Sequence, residues 1–232
     1  MIFNLIKAGA VTLSLLVISS AAGAADFGRS GKRAGNSMAD SSGSGFYVGI
    51  NGGYGWGASD WASPAISNKP DGGMVGGAIG YNYQLGSIVL GLEGDIGWSG
   101  AKGSAACGAF TCETKNDWLG TVRGRVGYAV NRFLPFITGG GAYGNIKASS
   151  TNPAAAGASS TQFGWVAGGG IEYAMHDNWS VKLEYLHVDL GDFNCGAACS
   201  VGVPTNNVSF SENIFRAGVN YHFTSGPISS RY

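Results

Sequence analysis

From Gly45 to Phe223, apolar and polar residues alternate with a period of two. That alternation confines the chain to β-strands with two unlike faces. In one segment Trp179, Val181, Leu183 and Tyr185 interleave with Ser180, Lys182 and Glu184. In another, Trp118, Val122, Val126 and Tyr128 share a face opposed by Thr121, Arg123 and Arg125. The pattern predicts eight strands, at 45–56, 73–84, 87–98, 114–130, 133–147, 161–175, 178–189 and 211–223. Pro135 makes the fifth the least regular, because proline removes a ladder hydrogen bond. Tight turns are expected at Leu85-Gly86, Asn131-Arg132 and His176-Asp177, and long links at 57–72, 99–113, 148–160 and 190–210. Short and long connections therefore alternate, as in outer-membrane barrels with short periplasmic turns and longer external loops.

A period of two does not by itself say which face meets lipid. Volume does. The bore of an eight-stranded barrel is only wide enough for side chains to fill. The apolar face carries too many rings for it. One set, expected at the lower rim, comprises Phe46, Tyr81, Tyr83, Tyr128, Phe133, Tyr173, Trp179, Tyr221 and Phe223. A second, expected at the upper rim, comprises Trp56, Trp98, Trp118, Tyr143, Phe163, Trp165, Tyr185 and Phe215. Two belts separated by Gly, Val, Ile and Leu are the aromatic girdles of a membrane barrel. The opposite face is mostly Gly, Ala, Asn and Thr, which suits a narrow bore. The 41 glycines of the chain fit the same need for room and strand bending. The expected fold is therefore all-β: an eight-stranded antiparallel up-and-down transmembrane β-barrel over 45–223. Lipid offers no hydrogen-bond partner, so such a sheet must close on itself.

The flanks read differently. Residues 1–24 have the form of a cleaved secretory signal: Lys7, an apolar run from Ala8 to Ile18, and an A-x-A site that cuts between Ala24 and Ala25. That run is short for a spanning helix of about 20 residues. Residues 25–44 are a Gly- and Ser-rich periplasmic lead-in, and 224–232 form a C-terminal tail. Formal net charge is zero, which gives no reason to expect a nucleic acid partner.

The bore face carries Glu93, Asp95, Arg123, Arg125, Glu172, Lys182, Glu184 and Arg216. These balance in sign, and neighbouring strands carry opposite signs. A buried unpaired charge is costly, so an ion-pair network is expected, extended by Asn51, Asn82, Gln84, Asn220 and His222. Such a network either closes the bore or lines a narrow charged channel; balance and small strand number favour closure. Cys107 and Cys112 lie in one long link and Cys195 and Cys199 in another. Export favours disulfides, with nearness pointing to 107–112 and 195–199 among three pairings. No metal site, cofactor motif or phosphate loop is present in the sequence, and the Gly-rich runs at 139–141 and 168–170 lie within strands. His187 and Asp189 are the only candidates for rim catalysis, and no nucleophile accompanies them.

Several segments, in order, resemble one family: Gly91-Leu92-Glu93-Gly94-Asp95, then Gly120 to Tyr128 (GTVRGRVGY) and Thr138 to Gly144 (TGGGAYG). Asp177 to Lys182 (DNWSVK), Glu184-Tyr185-Leu186 and Arg216 to Phe223 (RAGVNYHF) complete the match. They are similar to the RopB-like small alphaproteobacterial outer-membrane barrels, known as porin-family proteins or surface antigens. The resemblance implies an OmpA-type barrel in the outer membrane of a Gram-negative bacterium, with roles in envelope integrity and surface contact. It implies no catalytic residues and no cofactor. The implied partners are outer-membrane lipid and lipopolysaccharide, the barrel-assembly machinery, and envelope or host partners met through the loops; a small diffusion porin is the alternative. Family members usually end at the aromatic residue of the last strand, whereas here Thr224 to Tyr232 follow Phe223.

Overall fold

The structure is a computed structural model that describes residues 44–62, 65–107, 110–151, 158–175, 178–194 and 207–223. The expected signal at 1–24 with its Ala24–Ala25 cleavage, the lead-in before Ser44 and the 224–232 tail lie outside the described residues. So do Cys195, Cys199 and the side chain of Cys107.

Ten strands form one sheet: β1 (Gly45–Ala62), β2 (Ala65–Asn68), β3 (Asp71–Leu85), β4 (Ile88–Ser99), β5 (Lys102–Cys107), β6 (Phe110–Tyr128), β7 (Phe133–Ser150), β8 (Ala158–Ala174), β9 (Trp179–Asn194) and β10 (Asn207–His222). Eight of them close a barrel in the order β1-β3-β4-β6-β7-β8-β9-β10, and β10 returns to pair with β1. All barrel pairings are antiparallel, and the closing register runs from Tyr47 opposite His222 to Trp61 opposite Val208. The sheet therefore has no open edge along the wall, as a hydrocarbon surround requires.

The eight expected strands are all present, and most run further than their alternation suggested. β6 has 19 residues and β1 and β7 have 18 each, whereas crossing lipid takes about 9–11. The excess lies at one end, where the long links are. Two links also contain strands the sequence reading left as loops: β2 folds back on β1, and β5 pairs with β6 and touches β3. At the other end the connections are tight. Gly86 has φ +61° and Asn131 φ +55°, the left-handed backbone that Gly and Asn tolerate best. We call these the turn end and the link end.

Between the two ring belts the outward face is apolar and bare: Ile50, Leu92 and Ile137 are 72%, 67% and 70% exposed. Such a continuous apolar surface belongs in lipid. The expected rings all stand on this outer side, with contacts between Phe46 and Tyr81, Trp179 and Tyr221, and Phe133 and Tyr173 at the turn end. Trp118–Tyr143 and Trp56–Tyr185 make the corresponding contacts toward the link end.

Beyond the upper rings the alternation continues, shifted in β6 by an irregularity between Asn116 and Leu119, and its chemistry inverts. Outward positions become polar (His187, Asp189, Asn213, Asn145), while Leu119, Ile146, Leu186, Val188, Leu190, Phe210 and Ile214 point inward and form one apolar cluster. This part of the wall is built like a water-soluble barrel, because water rather than lipid surrounds it. The sequence reading expected a small and polar bore face throughout. That holds only at membrane height; the apolar collar corrects it.

Candidate functional site

The bore at membrane height is filled by charge. Glu93 and Asp95 come from β4, Arg123 and Arg125 from β6, Glu172 from β8, Lys182 and Glu184 from β9, and Arg216 from β10. Each stands at an inward register position, and each is at most 8% exposed.

The contacts join into one network. Arg123 Nη1 donates to Glu184 Oε1 at 2.8 Å, and its Nη2 donates to Asp95 Oδ2 at 2.8 Å and to Glu93 Oε1. Arg216 grips the same cluster from the opposite wall. Its Nε donates to Glu184 Oε2 at 2.8 Å, and its two Nη atoms donate to Asp95 at 3.0 and 3.1 Å. This fork geometry is the strong form of the arginine–carboxylate contact. Lys182 Nζ donates to Glu93 Oε2 at 2.6 Å, and Thr121 Oγ1 donates to Asp95 Oδ2 at 2.6 Å.

One layer toward the turn end, Arg125 Nη2 donates to Glu172 Oε2 at 2.6 Å and lies 3.8 Å from Glu93 Oε2 through Nη1. Its guanidinium sits 4.8 Å from the Phe136 ring centre and 5.7 Å from that of Tyr47, within cation–π range. Glu172 also accepts from Ser180 Oγ at 2.5 Å and Asn220 Nδ2 at 3.1 Å, with His222 Nε2 at 3.2 Å. All eight residues singled out from sequence thus meet in one cluster. Asn220 and His222 extend it; Gln84 instead caps the turn, donating through Nε2 to Gly86 O at 2.8 Å.

Sequence reading missed Tyr47, whose hydroxyl donates to Glu93 Oε2 at 2.6 Å with no exposure to solvent. Rings were assigned to lipid by size; Phe136 and Phe210, which are also buried, were passed over, and so was Tyr47. A signal was present: it shares its phase with Gly49, Asn51, Gly53 and Gly55. Gly80 supplies its space, since a Cβ there would run into the Tyr47 ring. Glu212 was also missed. It lies in the apolar collar, facing Asn116, and neither of its carboxyl oxygens makes a hydrogen bond.

Ser180, His222 and Glu172 have the composition of a hydrolytic triad but not its geometry. His222 uses the same nitrogen, Nε2, toward both Ser180 and Glu172, so the ring does not relay a proton between them. At the outer rim, His187 Nδ1 faces Asn213 Oδ1 at 2.8 Å, while Asp189 accepts from the Gly191 amide. The two candidates for rim catalysis are therefore engaged separately. Among the described residues no group of His, Cys, Asp and Glu forms a metal site.

A closed eight-stranded antiparallel wall with bare apolar residues outside and ion pairs inside defines a class: the small β-barrels of the Gram-negative outer membrane. Residues 10–223 match the outer membrane protein beta-barrel domain, and the chain belongs to that family. It is 37% identical over 204 residues to a 31 kDa outer-membrane immunogenic protein of Brucella melitensis, covering 77% of this chain and 83% of that one. A 25 kDa outer-membrane immunogenic protein of the same species is 36% identical over 179 residues, covering 77% and 78%. A 22 kDa outer membrane protein of Rhizobium leguminosarum is 40% identical over 145 residues, covering 62% and 63%. The expected resemblance to small alphaproteobacterial barrels and the expected outer-membrane location both agree with these matches.

Proposed function

We propose that the protein is a non-enzymatic structural barrel whose bore is closed and whose link end carries its contacts. The observation that carries this reading is mutual saturation of charge. Arg123 and Arg216 approach from opposite walls and together engage Glu93, Asp95 and Glu184, so the pairs span the lumen rather than line it. An ion passing through would have to displace arginines from carboxylates in a dry interior, where removing one partner costs about 3–5 kcal/mol. The apolar collar stacks a second obstruction above the first. Near the turn end, a cavity lined by Leu134, Glu172, Ala174, Ser180 and His222 measures only about 10 Å³, room for no more than one water.

In this reading the protein stiffens the envelope through its contacts with outer-membrane lipid and lipopolysaccharide, and it reaches that site through the barrel-assembly machinery. Envelope or host partners meet the links. Planar-bilayer recording tests the closed bore directly. Purified protein is expected to add no steady conductance. A steady ion-selective current, altered by Arg123→Ala or Glu93→Ala, would replace the closed barrel with a small diffusion porin. An altered lipid profile on deletion of the gene, restored only with His187 and Asp189 intact, would argue for enzymatic activity instead.

A further inference from the structure

Among the described residues, the collar above the ion-pair network holds a single ionisable side chain, and no other charge faces it. Glu212 lies on β10 between Phe210 and Ile214, with Val188 opposite it on β9 and Gly57 opposite it on β1. It is 1% exposed, and its carboxyl rests over Gly55, where a Cβ would strike Oε1. Asn116 of β6 is the polar side chain that acts on it, without a well-aligned hydrogen bond. The titratable groups of the strands packed round it look elsewhere. Asp60 of β1, His187 and Asp189 of β9, and Glu113, Lys115 and Asp117 of β6 stand on the outer face. Within the bore, Arg123, Lys182, Glu184 and Arg216 lie one layer lower and are already paired.

Burying a carboxylate without a partner is costly, so this side chain belongs in the collar as the neutral acid. Burial raises its pKa to about 7, and Asn116 offsets this in part. The folded chain then holds a proton that the unfolded chain has lost. Stability is therefore greatest at or below the ordinary carboxylate value of 4.5 and falls as pH rises to about 7.

The wall beside Glu212 is where the sheet can yield. At lipid height every wall strand has two partners. Above it, pairing of β8 with β9 ends at Trp165–Asp189. Beyond that point Ala158 to Gly164 pair with β7, and Asp192 to Asn194 pair with β10. Among the described residues, neither segment has a strand on its other side. A register shift lies at the same height: β9 passes through Leu190 and Gly191 while β10 passes through Phe210 alone. Gly191 has φ +66°. Such a bulge bends its strand and can end pairing. Solvent reaches the seam, because the inward side chains Ser160 and Gln162 of β8 are half-buried, whereas Ile146 and Ala148 of β7 are closed off. Leu190, just before the bulge, closes the collar by lying against Gly144 of β7.

We propose that Glu212 is a pH-operated latch for the outer end of β9: as the neutral acid it keeps Leu190 to Asn194 seated on the collar, and once ionised it draws water through the β8–β9 seam and lets that segment swing out about Gly191. β1 and β6 have partners on both sides at this height and stay in place. An acidic medium holds the end of β9 down; a neutral or alkaline one frees it. The ion-pair network lies below the latch, so the inference is independent of whether the bore conducts.

The test is hydrogen exchange of the full chain in lipid nanodiscs, read by mass spectrometry between pH 5 and pH 8. Exchange is expressed as protection factors, which remove its intrinsic dependence on pH. Protection over 188–194 should fall roughly tenfold to a hundredfold across that range, while protection round Gly86 at the turn end stays within about twofold. E212Q, a neutral side chain of the same size, should keep 188–194 protected throughout. E212L serves the same arm should the Gln variant fail to fold, and heat-modifiable gel migration shows which variants are folded. Unchanged protection over 188–194 in wild type would overturn the proposal, and that arm needs no variant. So would an equal fall in E212Q, which would assign the titration to His187 or Asp189. A fall of the same size at Gly86 would also overturn it, because the whole barrel would then be loosening.

Discussion

Arg123 donates to Glu93, Asp95 and Glu184 from a position whose side chain has no exposure to solvent. Replacing it with alanine leaves three carboxylates facing one another across a dry lumen. Arg123→Ala should therefore lose about 3–5 kcal/mol of stability, read from urea unfolding in lipid vesicles by tryptophan fluorescence. A neighbouring outward substitution, Val122→Ala, should cost far less, because Val122 is 60% exposed on the wall. Equal losses for the two would contradict the network. Glu212 presents the opposite case. It is 1% exposed, neither carboxyl oxygen has a well-aligned hydrogen-bond partner, and Asn116 is the polar side chain that acts on it, so the cost of burying it charged is poorly offset. Glu212→Gln should leave the urea midpoint unchanged or raise it, and a fall of about 1 kcal/mol or more would show a partner that the geometry lacks. The charged members of the bore were legible in the sequence because they share one face of period-two segments. Tyr47 was not, because the space for a ring in so narrow a bore comes from Gly80 on the neighbouring strand, which the period of β1 alone does not reveal.

At the scale of strands, the turn end and the link end follow different chemistry. Gly86 turns β3 into β4 with positive φ. A β-branched residue there is forced into the left-handed region, so Gly86→Val should destabilise the hairpin by roughly 1–2 kcal/mol. The check is slower folding into vesicles, with unchanged migration once folded; folding at the wild-type rate would count against it. The eight barrel strands were legible because the period of two and the turn residues agreed with each other. Their upper halves were not. There the outward side turns polar and the inward side apolar, so the pattern that signals a membrane strand reverses within one strand. The reversal made segments such as 57–62 and 190–194 look like loop, although they continue β1 and β9. β2 and β5 escaped notice for a related reason: short strands folded against an existing wall need no strong pattern of their own, since β1 and β6 supply their partners.

For the whole molecule, closure explains why sheet, belts and bore depend on one another. Every wall strand has two partners, so opening the barrel anywhere exposes a row of unpaired amides to lipid. The folded protein from outer membranes should therefore remain compact in detergent at room temperature and shift its gel migration only on heating. Migration that does not change with heating would count against a closed wall. The volume argument put the rings it named on the outer side because an eight-stranded bore fixes how much it can hold; Tyr47, Phe136 and Phe210, which it did not name, are buried. What volume could not supply was height. The length of the wall beyond the lipid depends on the register between distant strands, such as Ser59 opposite Phe210.

The surplus length of β1, β6, β7 and β9 has a practical meaning. The barrel stands above the lipid as a rigid stump of paired sheet. A flank held by backbone pairing does not change shape when its outward side chains change. The outward side chains of the stump can therefore vary while its shape persists.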